Sequence, residues 1–268
     1  MRHGLAAPTF HSDRKEPMPA LLGIDADANR AKIAALLVPA LVVLLAAAVR
    51  VYRLDSRSLW LDEILTAQTA HLAGPSDVIA WCQAAINQMP SYYLFTWFLG
   101  RWGDNAILLR LPALVAGVLI VLAVYLLGRR LFGYRAGVVA ALLMALLPFA
   151  VWYSQEARNY SFLMLLTTLQ MYCAHRAIVE GRAVDWLALS LITTADLYTH
   201  YLALVSTAAL ALYVGLFLVA RLLVRSAGPA SLGVVPPLVL HGSGAPLPPW
   251  RPWPRPGSPL ACAPSPPP

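Results

Sequence analysis

The clearest pattern in this chain is a series of apolar runs separated by short polar segments. Four uncharged apolar runs are each close to the roughly 17–25 residues that cross a bilayer as an α-helix: Ile33 to Val49, Leu111 to Leu127, Ala136 to Trp152 and Leu202 to Ala220. Two further stretches, Tyr160 to Ala174 and Trp186 to Tyr201, are shorter or carry a polar residue near one end, and they predict two more spans. The pattern therefore predicts an all-α, polytopic membrane protein with about six transmembrane helices.

Basic residues cluster at the ends of these predicted spans. The clusters are Arg30 and Lys32; Arg129, Arg130 and Arg135; His175, Arg176 and Arg182; and Arg221 and Arg225. If the N-terminus is cytoplasmic, alternating crossings place every cluster on the cytoplasmic side, as the positive-inside rule requires. We therefore expect a multi-pass protein of the cell membrane with a cytoplasmic N-terminus, and we interpret the net charge of +7 as topology rather than nucleic-acid binding.

Composition excludes a single soluble core. The chain is 59% hydrophobic and 12% charged, whereas soluble domains carry about 25% charged residues. About 30 residues precede the first apolar run, which favours an uncleaved anchor over a secretion signal. The three cysteines, Cys82, Cys173 and Cys262, are an odd number without metal or redox spacing and imply no disulfide framework.

The pattern divides the chain into three regions. Residues 1–32 are mixed and polar, and we expect a cytoplasmic N-terminal arm; residues 33–225 form the transmembrane module. Residues 226–268 contain 14 of the 22 prolines and predict a disordered tail. Proline, arginine and alanine runs are typical of a GC-rich gene read out of frame, which is the interpretation we favour; the alternative is a genuine proline-rich linker.

A long external segment, Tyr52 to Asn105, separates the first two predicted spans. It contains two candidate amphipathic surface helices, Leu59 to Leu72 and Ser76 to Gln88, the second with a plausible Ser76 cap and a face suited to the membrane interface. Pro90 to Trp102 is aromatic but too short to cross, so we expect it at the outer interface.

Under this topology, the polar residues outside the basic clusters collect on the external side in three groups. These are Arg57 to Glu63 in the first external segment, Tyr153 to Tyr160 after the third span, and Asp196 to Tyr201 where the fifth span ends. Three loops that are distant in sequence are thus expected to converge on one membrane face with carboxylates, an arginine and a histidine.

The adjacent carboxylates Asp62 and Glu63 diverge by about 100° on a helix, so they cannot both address one proton. One base and one helper is the division we expect, and a solvated acidic pair is the alternative. Asp196 and His200 stand four apart and would share a face if the fifth span stays helical, although an ordinary interfacial helix end would look the same.

The second group allows two interpretations. If Tyr153 to Tyr160 is helical, Gln155 and Arg158 share one face while Glu156 and Tyr160 share another. A hydrophilic loop would carry similar residues, and the pattern does not distinguish the two.

Several motifs in matching order resemble a known family. They are Leu59-Trp60-Leu61-Asp62-Glu63, Met89-Pro90-Ser91-Tyr92-Tyr93, Arg110-Leu111-Pro112, Gly128-Arg129-Arg130-Leu131-Phe132-Gly133, Tyr153-Ser154-Gln155-Glu156-Ala157-Arg158-Asn159-Tyr160 and Tyr198-Thr199-His200-Tyr201. This set resembles the bacterial relatives of protein O-mannosyltransferases and aminoarabinose transferases, which are C-type glycosyltransferases similar to glycosyltransferase family 39. The resemblance covers about Ile33 to Arg225.

The resemblance implies transfer of a sugar from a polyprenyl-phosphate donor to an acceptor hydroxyl at the outer face. Asp62 is then the expected general base, and Arg158 the expected phosphate ligand with Gln155 and Tyr160 beside it. The second-line positions for sugar contacts or for orienting the base are Glu63, Glu156 and His200. Expected partners are the lipid-linked donor, a protein, lipid or glycan acceptor, and membrane lipids, without nucleic acid. No tight ligand cluster is evident, so we assign no metal.

This chain differs from the resembled family in two ways, and two other functions are alternatives to sugar transfer. Many relatives carry His-Pro-Pro or a similar motif where this chain has Gln88-Met89-Pro90-Ser91. Such enzymes usually continue for several hundred more residues, so we expect a truncated family member, and a non-catalytic remnant is one alternative. The other is a transporter or lipid flippase, whose polar residues should lie near the bilayer midplane.

Overall fold

The computed structural model describes residues 19–86, 88–103 and 105–227, and this part of the chain is helical with no strands. Its α-helices are α1 Pro19–Val51, α2 Leu61–Thr69, α3 Pro75–Trp81, α4 Ser91–Leu99, α5 Ala106–Phe132, α6 Tyr134–Leu146, α7 Pro148–Ser154, α8 Tyr160–Glu180, α9 Ala183–Leu197 and α10 Ala203–Ala227. A π-helical turn, Cys82–Ile86, follows α3, and a 3-10 turn, Gly100–Trp102, follows α4. The all-α fold class is confirmed.

The ends of the predicted regions differ from the described helices. Helix α1 begins at Pro19, so residues 19–32 of the expected polar arm are helical. Helix α10 ends at Ala227. Nearly all of the predicted proline-rich tail lies outside the described residues.

Four described helices are long and apolar enough to cross a membrane: Ile33–Val51 within α1, all of α5, all of α8, and Ala203–Leu223 within α10. The bent pair α6 and α7 makes a fifth if it is one span. Helix α9, on the expected fifth span Trp186 to Tyr201, has 15 residues, fewer than the roughly 20 that cross a bilayer. By length and composition the described residues thus hold four or five spans, which agrees with a polytopic membrane protein.

The predicted third span, Ala136 to Trp152, is not one straight helix. It breaks at Leu147, which has extended backbone angles (φ −60°, ψ 116°), and α6 and α7 meet there at 60°. Pro148 explains the break, because proline lacks the N–H of a continuing helix and disfavours the helical conformation in the residue before it. The prediction of a continuous helix was wrong here because average hydropathy does not register a single proline.

Helix α5 is the centre of the bundle. Its buried residues pack against α1 and α6 in a core of Val42, Ala46, Ile120, Val121, Tyr125, Ala141 and Ala145. Small residues bring the helices close, as is common between membrane helices. A Cβ on Gly137 would lie 2.7 Å from the backbone nitrogen of Arg129, so the close approach of α6 to the end of α5 requires glycine there.

Residues of the second and third predicted cytoplasmic basic clusters lie together at one end of the bundle. Arg130 at the end of α5 pairs with Glu180 at the end of α8, and Arg176 of α8 lies 2.8 Å from Asp185 in the first turn of α9. The predicted external groups lie at the opposite ends of these helices. The ends of the bundle therefore differ in chemistry as the sequence pattern indicated, and the orientation across the membrane stays a prediction.

The segment between α1 and α5 packs on itself, and its location at the outer interface stays a prediction. Val78 and Cys82, on the apolar face of α3 and the turn after it, are buried against Tyr92 and Tyr93 of α4. The predicted Ser76 cap was wrong: Gly74 is the N-cap, and its N–H donates to the carboxylate of Asp77 at 3.1 Å. Pro75 at the first helical position explains the shift, because proline suits that position.

This packing determines which residue can report the membrane side of the segment in a labelling experiment. Cys82 is fully buried, and burial raises the pKa of its thiol to about 11, so it is a poor reporter of membrane side. Ser76 is exposed nearby. We expect a Ser76→Cys variant to react in intact cells with a membrane-impermeant maleimide well above the wild-type level. Labelling that requires permeabilised cells would reverse the predicted orientation.

Candidate functional site

The two adjacent carboxylates lie in the first turn of α2. Trp60, with extended backbone angles, precedes the helix, and its N–H lies 3.5 Å from Glu63 Oε2. Acidic residues are favourable at this end of a helix, where the dipole is positive. Because successive residues point about 100° apart, the two have different environments: Glu63 is 1% exposed, whereas the side chain of Asp62 is 31% exposed.

Glu63 is fully occupied by contacts within the protein. Arg110 of α5 donates to it through Nε at 2.8 Å and Nη2 at 2.7 Å, a bidentate pair. Oε1 also accepts the N–H of Ala157 at 2.8 Å. Arg110 uses Nη1 on the carbonyl of Leu54 at 2.6 Å. Glu63 thus connects α2, α5 and the segment between α7 and α8.

Asp62 faces a different arginine. Its Oδ2 lies 3.6 Å from Nη2 of Arg158, whose side chain is 7% exposed. Nη1 of Arg158 donates to the Tyr93 hydroxyl at 3.2 Å, and the guanidinium carbon is 5.8 Å from the centre of the Tyr160 ring. A half-exposed carboxylate therefore lies beside a buried guanidinium that has an aromatic wall.

Electrostatics keeps that guanidinium charged. Burial alone would lower the pKa of Arg158, but the neighbouring Tyr93, a hydrogen bond with Tyr160 and the charge of Asp62 together raise it. Burial raises the pKa of the Tyr93 hydroxyl to about 12, although Arg158 opposes the shift. Tyr93 is therefore a neutral hydroxyl at physiological pH.

The second polar group is a turn and not a helix. Residues 155–159 lie between α7 and α8 without helical structure, so of the two interpretations that the sequence left open the loop is correct. Nε2 of Gln155 donates to the carbonyls of Arg50 and Tyr52, each at 3.0 Å. The amide of Gln155 therefore holds the turn against the end of α1.

Glu156 and Asn159 occupy buried positions in the same turn. Burial raises the pKa of Glu156, with the charge of Glu63 adding to the shift and a hydrogen bond from Trp152 opposing it. Asn159 donates through Nδ2 to the carbonyl of Thr199 at 2.8 Å. This bond brings the second and third polar groups into contact.

His200 lies at the other side of Tyr160. It is 2% exposed, with its ring centre 5.6 Å from that of Tyr160 and 4.4 Å from that of Tyr201. Nδ1 accepts the N–H of Leu202 at 3.0 Å, which places the proton of the neutral ring on Nε2. Arg158, Tyr160, His200 and Tyr201 thus form a continuous series of neighbouring side chains, with the rings tilted against one another.

Asp196 does not share a face with His200 as the sequence suggested, because α9 ends at Leu197. The Asp196 carboxylate instead accepts hydrogen bonds within the bundle, from Gln170 at 2.6 Å and Thr167 at 3.1 Å. The convergence of the three groups therefore holds for His200 but not for Asp196.

An open cavity of about 630 Å³ adjoins the end of this series. Its lining residues are Gln83, Ile86, Gln88, Met89 and Tyr201. None of these described lining residues is charged. The segment in which this chain departs from many relatives of the resembled family therefore lines a cavity beside the candidate site.

Three residues of the site were not assigned roles from the sequence. Arg50 and Arg110 are cations at the ends of apolar runs and are 0% and 2% exposed. A cation beside hydrocarbon is itself a signal of function or structure, so both could have been singled out. Tyr93 carried no comparable signal. Within the described ranges, no three His, Cys, Asp or Glu side chains group around a common point.

Comparison with known proteins identifies the family. No curated protein and no solved structure matches the chain significantly. The family model of dolichyl-phosphate-mannose-protein mannosyltransferase matches residues 87–240, which is more than half of the 268 residues. The match begins after Asp62 and Glu63, includes Arg158 and His200, and continues past the last described residue. The chain therefore belongs to the dolichyl-phosphate-mannose-protein mannosyltransferase family of membrane glycosyltransferases.

Proposed function

We propose that this protein transfers a sugar from a polyprenyl-phosphate-linked donor to an acceptor hydroxyl at the outer face of the membrane. The observation that carries the proposal is the pair formed by Asp62 and Arg158, 3.6 Å apart at the end of the bundle opposite the basic clusters. A base and a phosphate ligand side by side are what this transfer needs. The family supports a lipid-phosphate-linked sugar as donor.

Arg158 is the proposed phosphate ligand. Its contact with Asp62 is longer than a direct hydrogen bond, and its Nε has no hydrogen-bond partner in the described residues. The guanidinium thus has N–H donors beyond the one used on Tyr93. Guanidinium groups hold phosphates through paired charge-assisted hydrogen bonds, and the low dielectric of a buried position strengthens them.

Asp62 is the proposed general base. Its partial exposure gives an acceptor hydroxyl access to the carboxylate, which Glu63 does not offer. As the acceptor oxygen attacks the anomeric carbon, Asp62 takes its proton and the bond from that carbon to the phosphate oxygen breaks. The leaving group is a polyprenyl phosphate, whose negative charge Arg158 stabilises.

The remaining predicted site residues receive supporting roles in this proposal. Glu63 has both oxygens occupied, so it positions α2 and Ala157 rather than acting on a substrate. Gln155 positions the turn that carries Arg158. Tyr160 and His200 are the proposed wall beside the phosphate, next to Arg158, and the buried Glu156 stays a second-line position.

The location of the polar groups favours surface chemistry over transport. Asp62 begins an external helix and Arg158 lies in a turn between helices. A transporter would place its substrate residues near the bilayer midplane. The direct test incubates membranes that contain this chain with labelled polyprenyl-phosphate sugars and measures transfer to endogenous acceptors; absence of transfer from any donor would favour the non-catalytic remnant.

A binding experiment tests the role of Arg158 separately. We expect Arg158→Gln to weaken binding of undecaprenyl phosphate by about 10- to 100-fold, because hydrogen bonds to charged groups contribute about 1.5–3 kcal/mol. Binding to protein in lipid nanodiscs would be measured by thermophoresis. Arg101→Gln is the matched control, since Arg101 is an exposed arginine on the external segment. Equal affinities of wild type and Arg158→Gln would remove Arg158 from the phosphate site.

A further inference from the structure

Arg50, the last basic residue of α1, is a fully buried cation whose hydrogen bonds in the described residues all go to neutral groups. Its Nη1 donates to the carbonyls of Ala46 at 3.2 Å and Ala145 at 3.0 Å, and its Nη2 to that of Met144 at 3.3 Å. Its Nε donates to the hydroxyl of Ser154 at 3.1 Å. One side chain therefore connects α1 to both halves of the broken span.

The hydrogen bonds from Arg50 to α6 replace a backbone N–H donor that the helix lacks. In an uninterrupted helix the carbonyl of Met144 would accept the N–H of residue 148, but Pro148 has none. Arg50 supplies an N–H to that carbonyl and to the next one. Its positive charge also lies at the C-terminal end of α6, where the helix dipole is negative. Arg50 thus satisfies the polar groups that the break leaves inside an apolar environment.

The contacts on α7 hold the start of the active-site turn. Ser154 ends α7, and Gln155 follows it and donates to the backbone carbonyl of Arg50. Gly117 of α5 makes room for this arrangement, because a Cβ there would collide with the Ser154 hydroxyl and lie 3.2 Å from Arg50 Nε. Side chain and backbone of Arg50 therefore both fix where the turn begins.

We propose that Arg50 is a positioning residue that fixes the bend between α6 and α7 and thereby places Arg158 beside Asp62. The consequence for donor binding rests on the function proposed above, whereas the structural part does not. Arg158 follows Ser154 by only four residues, and hydrogen bonds of Gln155 and Ala157 hold the chain between them in place. A change of the bend therefore displaces Arg158 directly.

The test compares Arg50→Leu with the double variant Arg50→Leu/Pro148→Ala. The double variant returns a backbone N–H to the Met144 carbonyl, so we expect it to recover most of the thermal midpoint that Arg50→Leu loses. It cannot recover the bend, because alanine lets the helix continue. Binding of undecaprenyl phosphate should therefore stay about 10-fold or more below wild type in both variants, while Arg101→Leu should match wild type.

A cysteine reporter makes the result independent of any ligand. Ala157 is fully buried in the turn, so Ala157→Cys should resist an impermeant maleimide in the parent protein and react in both Arg50→Leu backgrounds. Recovery of phosphate binding and of cysteine protection in the double variant would show that Arg50 only stabilises the helix, and would overturn the proposal. If the wild type binds no undecaprenyl phosphate, the proposed function fails, and the reporter alone decides the role of Arg50.

Discussion

Replacement of Asp62 by asparagine is expected to lower the rate of sugar transfer by about 100- to 10,000-fold, the range for loss of a general base. Asparagine has the same size but cannot take a proton from the acceptor. The described contact of the Asp62 carboxylate is the one with Arg158, and the side chain is half-exposed. Because this contact is longer than a direct hydrogen bond and the asparagine oxygen can still face the guanidinium, we expect normal membrane insertion and a much smaller loss of thermal midpoint than for loss of the bidentate pair of Glu63 and Arg110.

The measurement is transfer from a labelled polyprenyl-phosphate sugar, with protein amounts normalised by immunoblot. Asp77→Asn is the matched control, because Asp77 is an exposed carboxylate of the external segment whose capping bond to Gly74 an asparagine can also make. Near-normal transfer by both variants would reject the acid-base assignment and shift weight to a transporter.

Replacement of Glu63 by glutamine is expected to destabilise the protein by about 3–5 kcal/mol, the cost of leaving a buried charge unpaired. Arg110 would keep its charge at 2% exposure without a counter-charge, and the glutamine amide offers one oxygen to the three N–H groups that Glu63 accepts. The Ala157 N–H would also lose a carboxylate acceptor. If Glu63 is only the helper of the base, Glu63→Gln has a milder effect on the transfer step itself than Asp62→Asn; the contacts add that its principal effect is on folding.

A double-mutant comparison separates this structural role from chemistry. Glu63→Met combined with Arg110→Leu removes both charges, and well-packed apolar replacements of a buried pair are often neutral. We expect the double variant to recover most of the thermal midpoint lost by Glu63→Gln. Transfer should remain low, since Ala157 and the turn of Arg158 still lack their anchor. A wild-type midpoint for Glu63→Gln alone would show that the pair contributes little to stability.

Together these variants distinguish two neighbouring carboxylates by different phenotypes. Asp62→Asn should leave a folded, inactive protein, whereas Glu63→Gln should yield little folded protein. The difference arises because α2 directs one side chain to a partly exposed position beside Arg158 and the other to Arg110 of α5. Loss of folding in both variants would indicate that the two carboxylates are equally structural.

Much of the fold was predictable because the bilayer imposes a simple rule on sequence. A long apolar run must be a helix in order to satisfy its backbone hydrogen bonds in hydrocarbon, so α5, α8 and the apolar parts of α1 and α10 follow from hydropathy alone. The grouping of basic residues at one end also follows, because Arg130 and Arg176 flank spans that end there. The break at Leu147 was less accessible, since hydropathy averages over the proline that causes it.

The candidate site was predictable only as a set of segments. Sequence order and alternation of spans bring the segments of Asp62, Arg158 and His200 to one end. They do not specify whether residues 155–159 form a helix or a turn, and the helical interpretation failed for that reason. The turn is held by side-chain bonds to distant carbonyls, those of Arg50 and Thr199, and no local pattern predicts such bonds.

The sequence by itself thus determined an all-α membrane protein with polar segments between its helices and the family motifs, because helix periodicity and bilayer thickness act on neighbouring residues. It also determined that Asp62 and Glu63 point in different directions. Only the tertiary structure decided which of the two is buried, because that depends on Arg110, 47 residues away in sequence. The roles of Arg50 and Tyr93 were decided in the same way, since each acts through contacts between helices that the chain order does not specify.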